Sequence, residues 1–208
     1  MGSDQQGVRA AFAAAAHGFA ELVDRIPPDA WTRPGLGEWD VRSLVGHTAR
    51  SLITVRTYLK TPAPRAALAG PQEYYLRVNP TVLGLDPADV VERGRQAGRD
   101  LGDDPAAAVR ELVTATLADL DGVDDPLIEV IGGLGIRLNA YLPTRVFEMA
   151  VHSLDIARAL GIDFSLPPEV LTKALTLAVR IAAAGGQGEQ VLLALTGREP
   201  LAAGFSLV

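Results

Sequence analysis

The apolar residues of this chain recur every three or four positions over long stretches, which is the spacing of one face of an α-helix. Apolar residues make up 48% of the sequence but aromatic residues only 5%, so the core must be built mainly from Ala, Leu and Val, which suit closely packed helices. The sequence therefore predicts an all-α fold. Helices are predicted over residues 5–26, 41–59, 86–101, 104–120, 139–160 and 168–184, with a further helical turn over 189–195.

Glycine, proline and short polar residues mark the breaks between these segments. Residues 31–39 are predicted to form a loop, and Asp40 is a good N-cap for the helix that follows. The third and fourth helices are either separate or form one helix kinked at 102–105. Two short apolar runs flank Gly132-Gly133, which predicts a short hairpin or an extended arm over 127–138.

The stretch over residues 61–84 is interrupted by several prolines and is predicted to be irregular. A short helix over 72–78 is expected to act as a lid or as the wall of a pocket. Its Arg77 either binds an anionic substrate or is solvated. Because no repeat or domain linker stands out, we predict a single domain over residues 1–208, with a C-terminal helical extension from about residue 167.

The charge and composition argue against several classes of partner. The net charge is −6 and basic residues are scattered singly, so phosphates meet no general attraction and we expect no nucleic-acid partner. No apolar run approaches the ~18 residues of a membrane span, and no charged-then-apolar leader opens the chain, so we expect no membrane partner and a cytoplasmic location. The absence of cysteine excludes disulfides and thiolate metal sites. The sequence leaves the oligomeric state open.

Two helices carry candidate metal ligands. Glu148 and His152 are four residues apart, so they lie one turn apart on the same helix face. His47 lies just beside the apolar stripe of the second helix, where a side chain would line a semi-buried cleft. If the two helices pack side by side, these three side chains converge on one divalent ion. The alternative is that Glu148 and His152 form an exposed pair of little consequence. His17 lies off its apolar stripe and is expected to be solvated or structural.

Two imidazoles and one carboxylate form an open coordination set, because a closed structural zinc site has four protein ligands. Zinc bound in this way can lower the pKa of a water or a thiol and hold the resulting anion as a nucleophile. Asp155 could accept an N–H hydrogen bond from the His152 imidazole. Arg145 could orient an anionic group, or it could simply pair with Glu148.

Two motifs carry a resemblance to a known family. They read Trp31-x-x-Pro34-x-x-Gly37-x-Trp39-x-Val41-x-x-Leu44-x-x-His47 and Arg145-x-x-Glu148-x-x-Val151-His152-x-x-Asp155-Ile-Ala-x-Ala159-Leu-Gly. With them the chain resembles the DinB-like superfamily, and within it the branch of mycothiol-dependent maleylpyruvate isomerases and mycothiol S-transferases. The resemblance implies an up-down-down-up four-helix bundle and a divalent metal, usually zinc, held by His47, Glu148 and His152. It also implies a low-molecular-weight thiol cofactor, commonly mycothiol.

The resulting interpretation is a zinc-dependent enzyme that activates a thiol for attack on a small electrophilic substrate. Isomerases of this branch carry a larger C-terminal domain than the about 40 residues that follow Pro168, so both S-transferase and cis–trans isomerase chemistry stay open. Two other classes also stay open. The same ligand set resembles the facial triad of non-heme iron oxygenases. The protein could also be a non-catalytic binding module that kept the metal site.

Overall fold

The computed structural model describes residues 3–78, 84 and 86–208. It is 62% helical, which confirms the prediction of a mostly helical chain. Each predicted helix is present, with boundaries within about two residues of those expected. The helices are α1 (Ser3–Asp24), α2 (Val41–Tyr58), α3 (Pro71–Arg77), α4 (Pro87–Asp100), α5 (Pro105–Leu120), α6 (Leu138–Leu160), α7 (Pro168–Ala184) and α8 (Gly188–Leu195). None of the described helices combines the length and hydropathy needed to cross a membrane.

Two small antiparallel pairs accompany the helices. The strands are β1 (Pro34–Leu36), β2 (Trp39–Asp40), β3 (Leu127–Val130) and β4 (Leu134–Arg137). The β3–β4 pair is the hairpin predicted over 127–138, and the positive φ angles of Gly132 and Gly133 turn the chain between its strands. The loop predicted over 31–39 instead contains the short β1–β2 pair. Its pairing depends on contacts across the turn that a local sequence pattern does not encode.

Capping side chains mark the starts of α2 and α5. Asp40 Oδ1 accepts a hydrogen bond from the Ser43 N–H at 2.7 Å, so the predicted N-cap of α2 is confirmed. Asp104 Oδ1 accepts from the Ala107 N–H at 2.9 Å and starts α5 in the same way. Just before it, Gly102 has a φ of +70°, a left-handed conformation through which a helix cannot continue. The segments are therefore two helices, and the alternative of one kinked helix is wrong.

Four helices surround the main core. α1 packs against α6, α6 against α2, α2 against α5 and α5 against α1. α7 covers α6 and α1, while α3 packs against α6 and α7. The up-down-down-up order of a four-helix bundle and the single-domain organisation stay predictions. The largest fully buried side chains include Phe12, Phe19, Leu22, Leu44, Leu52, Leu142, Met149 and Ile156.

Glycines allow α4 to approach α2 very closely. A Cβ added at Gly46 would lie 2.2 Å from the backbone nitrogen of Gly98, so neither helix leaves room for a side chain at this crossing. One turn earlier on α4, Gly94 leaves space for the indole of Trp39, which donates a hydrogen bond to the Val91 carbonyl at 2.9 Å. The close contact thereby fixes Trp39 at the entrance of α2.

We expect Gly46→Ala to lower the free energy of unfolding by about 1–3 kcal/mol, because its methyl group must push the α4 backbone away. The matched control is Gly7→Ala in α1, where nothing lies within 4 Å of an added Cβ. That change should be neutral or stabilising by up to about 1 kcal/mol, because alanine has the higher helix propensity. Urea unfolding of both variants measures the difference, and equal stabilities would contradict the close-contact explanation.

Candidate metal centre

The packing of α2 against α6 brings His47, Glu148 and His152 together. One donor atom from each lies within 4.8 Å of the other two. Bonds of about 2.0–2.2 Å to one ion would hold such atoms roughly 3–4 Å apart, so small side-chain rotations close the set. Two imidazole nitrogens and a carboxylate oxygen fit zinc or another divalent ion in chemical type and in spacing. The predicted convergence is present, whereas His17 is exposed on α1 and is not part of this group.

His152 contacts one carboxylate through each ring nitrogen. Its Nδ1 lies 3.1 Å from Asp155 Oδ2, and its Nε2 lies 3.5 Å from Glu148 Oε2. A carboxylate can only accept, so Nδ1 carries a proton and Nε2 is the nitrogen available to an ion. Burial would lower the pKa of His152, but the hydrogen bonds to Asp155 and Glu148 outweigh it and raise the pKa to about 9. The contact with Asp155 is the one expected from the sequence.

His47 is in the opposite electrostatic situation. Burial lowers the pKa of His47 to about 4, and the nearby positive charge of His152 acts in the same direction. Its ring lies on that of Trp39, with centroids 4.4 Å apart, and meets the His152 ring edge-on at 5.0 Å. His47 is therefore a neutral imidazole at pH 7, oriented by an aromatic neighbour and ready to donate a nitrogen lone pair.

Glu148 is ionised despite its burial. Burial alone would raise its pKa, but the hydrogen bond with His152 and the positive charge of Arg145 lower the pKa to about 2. The Tyr75 hydroxyl also donates to Glu148 Oε1 at 2.8 Å. The carboxylate is therefore available as a negatively charged ligand at any pH near neutrality.

The contacts of Arg145 are with Thr144 and two tyrosine rings, which the sequence did not suggest. Its Nε donates to Thr144 Oγ1 at 3.0 Å, and its guanidinium lies 5.3 Å from the ring centre of Tyr74 and 4.9 Å from that of Tyr141. Within the described residues no direct ion pair joins it to Glu148, although its positive charge lowers the pKa of that carboxylate. The role of Arg145 in orienting an anionic group stays a prediction.

The three candidate ligands face a cavity of about 850 Å³. Its wall includes polar and charged side chains from α2 and α4, among them Arg50, Ser51, Thr54 and Arg93. The short helix α3 contributes Tyr74, Tyr75 and Leu76 to this wall, and Val78, the residue after the helix, also lines it. The predicted pocket wall over 72–78 is therefore confirmed. Arg77 points elsewhere: it is exposed and donates to the Ala67 carbonyl at 2.8 Å. Of its two predicted fates, the structure supports the surface position.

Sequence reasoning missed the tyrosines around this cavity. The Tyr141 ring meets the rings of Tyr58 and Tyr74 edge to face, with centroids 5.6 Å apart in each pair. The Tyr75 ring meets that of Tyr74 at the same distance. The chain has only 4 tyrosines, so all of them are in this one cluster. The adjacent Tyr74-Tyr75 pair in an aromatic-poor chain was the available signal. The C-terminal residues Ser206, Leu207 and Val208 also line the cavity.

We expect replacement of His47, Glu148 or His152 by alanine to weaken zinc binding by more than about 100-fold, because two ligands remain where three converge. His17→Ala is the matched control and should bind like wild type, since His17 is exposed and is not part of the cluster. Chelator competition on each purified variant gives the affinities. Wild-type affinity in His152→Ala would contradict the assignment.

Zinc affinity should also depend on pH through His152. At pH 7 this imidazole is protonated and an ion must displace its proton, whereas His47 and Glu148 are already deprotonated. Affinity should rise about tenfold per pH unit between pH 7 and 9, with release of about one proton per ion. The raised pKa stabilises the metal-free fold below about pH 6.5, and that contribution is lost as pH rises through 9. Calorimetry in buffers of different ionisation enthalpy counts the proton, and a pH-independent affinity would contradict this scheme.

Comparison with known families places this geometry in context. The family model described as "Mycothiol maleylpyruvate isomerase N-terminal domain" matches residues 12–157, which is more than half of the chain. The matched segment includes His47, Glu148 and His152, and it ends before α7 begins. A search of curated proteins and a search of solved structures found no match. The chain thus belongs to the mycothiol maleylpyruvate isomerase N-terminal domain family, which is a DinB-like family.

Proposed function

We propose that this protein is a zinc-dependent enzyme that activates a low-molecular-weight thiol, such as mycothiol, for attack on a small electrophilic substrate. The observation that carries the proposal is the convergence of His47, Glu148 and His152 on the wall of a cavity of about 850 Å³, in a chain of a mycothiol-related family. The chain has 0 cysteines, so the reacting sulfur must come from outside the protein.

Neighbouring side chains set the orientation and the protonation state of the candidate ligands. Asp155 holds the Nδ1 proton of His152, so Nε2 is the nitrogen directed at the other ligands. His47 presents a neutral imidazole against Trp39. Three protein ligands leave a coordination position open, which is the pattern of catalytic rather than structural sites. A bound zinc ion would lower the pKa of a thiol in that position and hold it as the thiolate.

The cavity wall supports a reaction rather than simple retention of a metal. Tyr74 and Tyr75 contribute aromatic rings to the wall that also contains the candidate ligands. Arg50, Ser51 and Thr54 place a charge and two hydroxyl groups on the α2 side of the same space. Polar groups beside the ligand cluster are what substrate orientation requires, and they favour an enzyme over a binding module.

Two reactions balance with these parts. In an S-transferase reaction the thiol loses its proton and its sulfur forms a bond to an electrophilic carbon of the substrate. The bond from that carbon to a leaving group breaks, the leaving group departs with the electron pair and takes up the proton, and the thioether is the product. In a cis–trans isomerase reaction the thiolate forms the same bond at one carbon of a double bond, and the π electron pair moves onto an electron-withdrawing group conjugated with the other carbon. The remaining single bond rotates, and the carbon–sulfur bond then breaks to return the thiol. The ligand set itself is compatible with both reactions.

Thiol binding tests the proposal directly. We expect zinc-loaded protein to bind mycothiol at least about tenfold more tightly than metal-free protein, with release of about one proton at pH 7, because a free thiol of pKa ~8.5 is mostly protonated there. Calorimetry measures both quantities, and Glu148→Ala should lose the metal-dependent part. The iron alternative predicts copurified iron and oxygen consumption. Equal thiol affinity without metal would leave the binding module as the better explanation.

A further inference from the structure

The two oxygens of the Glu148 carboxylate have different surroundings. Oε1 accepts a hydrogen bond from the Tyr75 hydroxyl at 2.8 Å, whereas Oε2 lies 3.5 Å from Nε2 of His152. The first oxygen is therefore occupied by a donor from α3, and the second faces His152. Such a carboxylate is not symmetric toward an ion placed among the three side chains.

The Tyr75 hydroxyl has one proton and two acceptors on α6. The second acceptor is the Thr144 carbonyl oxygen, at 3.0 Å. The carboxylate is closer and carries a charge, so it is the stronger acceptor.

Packing fixes where this hydroxyl points. The Tyr75 ring meets Phe147 edge to face with centroids 5.5 Å apart, and meets Tyr74 at 5.6 Å. At the other end of α3, the Glu73 carboxylate accepts a hydrogen bond from the Ala69 N–H at 2.9 Å. Because these contacts hold both the ring and the helix, the hydroxyl reaches Glu148 in one defined direction.

We infer that Tyr75 is a positioning residue that confines Glu148 to binding a metal ion through Oε2 alone. This inference rests on the metal site of the proposed function. A carboxylate that binds through both oxygens takes two coordination positions, whereas one bound through a single oxygen takes one. By occupying Oε1, Tyr75 preserves the position that a thiol needs. The short helix α3 thereby sets the coordination of a ligand on α6, although it contributes no ligand of its own.

The experiment compares Tyr75→Phe with Tyr74→Phe. Each change removes one hydroxyl from the same short helix, but only the Tyr75 hydroxyl bonds to Glu148. The Tyr74 ring lies instead against Arg145 and Tyr141. We expect Tyr75→Phe to weaken zinc binding about 10–100-fold in chelator competition, which is the usual effect of removing a group that orients a ligand. Tyr74→Phe should bind zinc like wild type.

X-ray absorption spectroscopy of the zinc-loaded proteins provides a signature that a merely structural role would not change. Wild type and Tyr74→Phe should show carboxylate binding through one oxygen, and Tyr75→Phe should shift toward two. Wild-type binding through two oxygens would overturn the inference without any variant, so the test does not depend on the folding of Tyr75→Phe. Unchanged affinity and spectrum in a folded Tyr75→Phe would overturn it as well.

The outcomes separate this inference from the proposed function. Protein that binds zinc with the expected one-oxygen carboxylate but shows no metal-dependent thiol binding would overturn the proposed function and support the role of Tyr75. Protein that binds thiol as proposed but shows no effect of Tyr75→Phe would overturn the role of Tyr75 alone. Wild-type protein that binds no divalent metal would overturn both.

Discussion

The contact between α2 and α6 is the packing on which the candidate site depends. Each helix buries an apolar stripe in the core, and the ligands lie on the edge of that stripe. Leu44 and Leu52 of α2 are fully buried, while His47 between them is only partly so. Burial of the stripes therefore presses the flanking polar side chains together without removing them fully from the cavity. Hydrophobic packing is not directional, yet it fixes the positions of the candidate ligands, whose coordination of a metal ion would be directional.

A buried carboxylate needs a positive partner, and this requirement organises the electrostatics of the site. In the protein without a metal, the proton on His152 supplies that charge next to Glu148, and Asp155 stabilises the imidazolium from the other side. A divalent ion can take over the same role by replacing the proton. His47 stays neutral because burial disfavours its charged form, and the positive charge of His152 acts in the same direction. The same geometry is thus compatible with either a proton or a divalent ion beside Glu148.

Small helices and glycines complete a site whose ligands come from long helices. α3 is only 7 residues long, yet it brings two tyrosines to the cavity and one hydroxyl to Glu148. α4 approaches α2 where Gly46 meets Gly98, and this approach fixes Trp39, on which the His47 ring rests. Each candidate ligand therefore has a supporting neighbour. Trp39 lies against His47, the Tyr75 hydroxyl donates to Glu148, and Asp155 contacts His152 from one turn further along α6. Such support keeps a polar cluster in one arrangement, because rotation of any member would break a hydrogen bond or a ring contact.

The sequence by itself determined the helices, their N-caps and the pairing of Glu148 with His152, because each depends on residues within about one or two turns of one another. It also placed His47 on the correct flank of α2. It did not determine which tyrosine contacts Glu148, because Tyr74 and Tyr75 are identical neighbours in the sequence. Tyr75, which makes the contact, is 73 residues away from Glu148 along the chain. The same holds for Arg145, whose partners were expected within its helix but include a tyrosine from α3. Contacts between distant segments depend on how whole helices pack, and only the tertiary structure decides that.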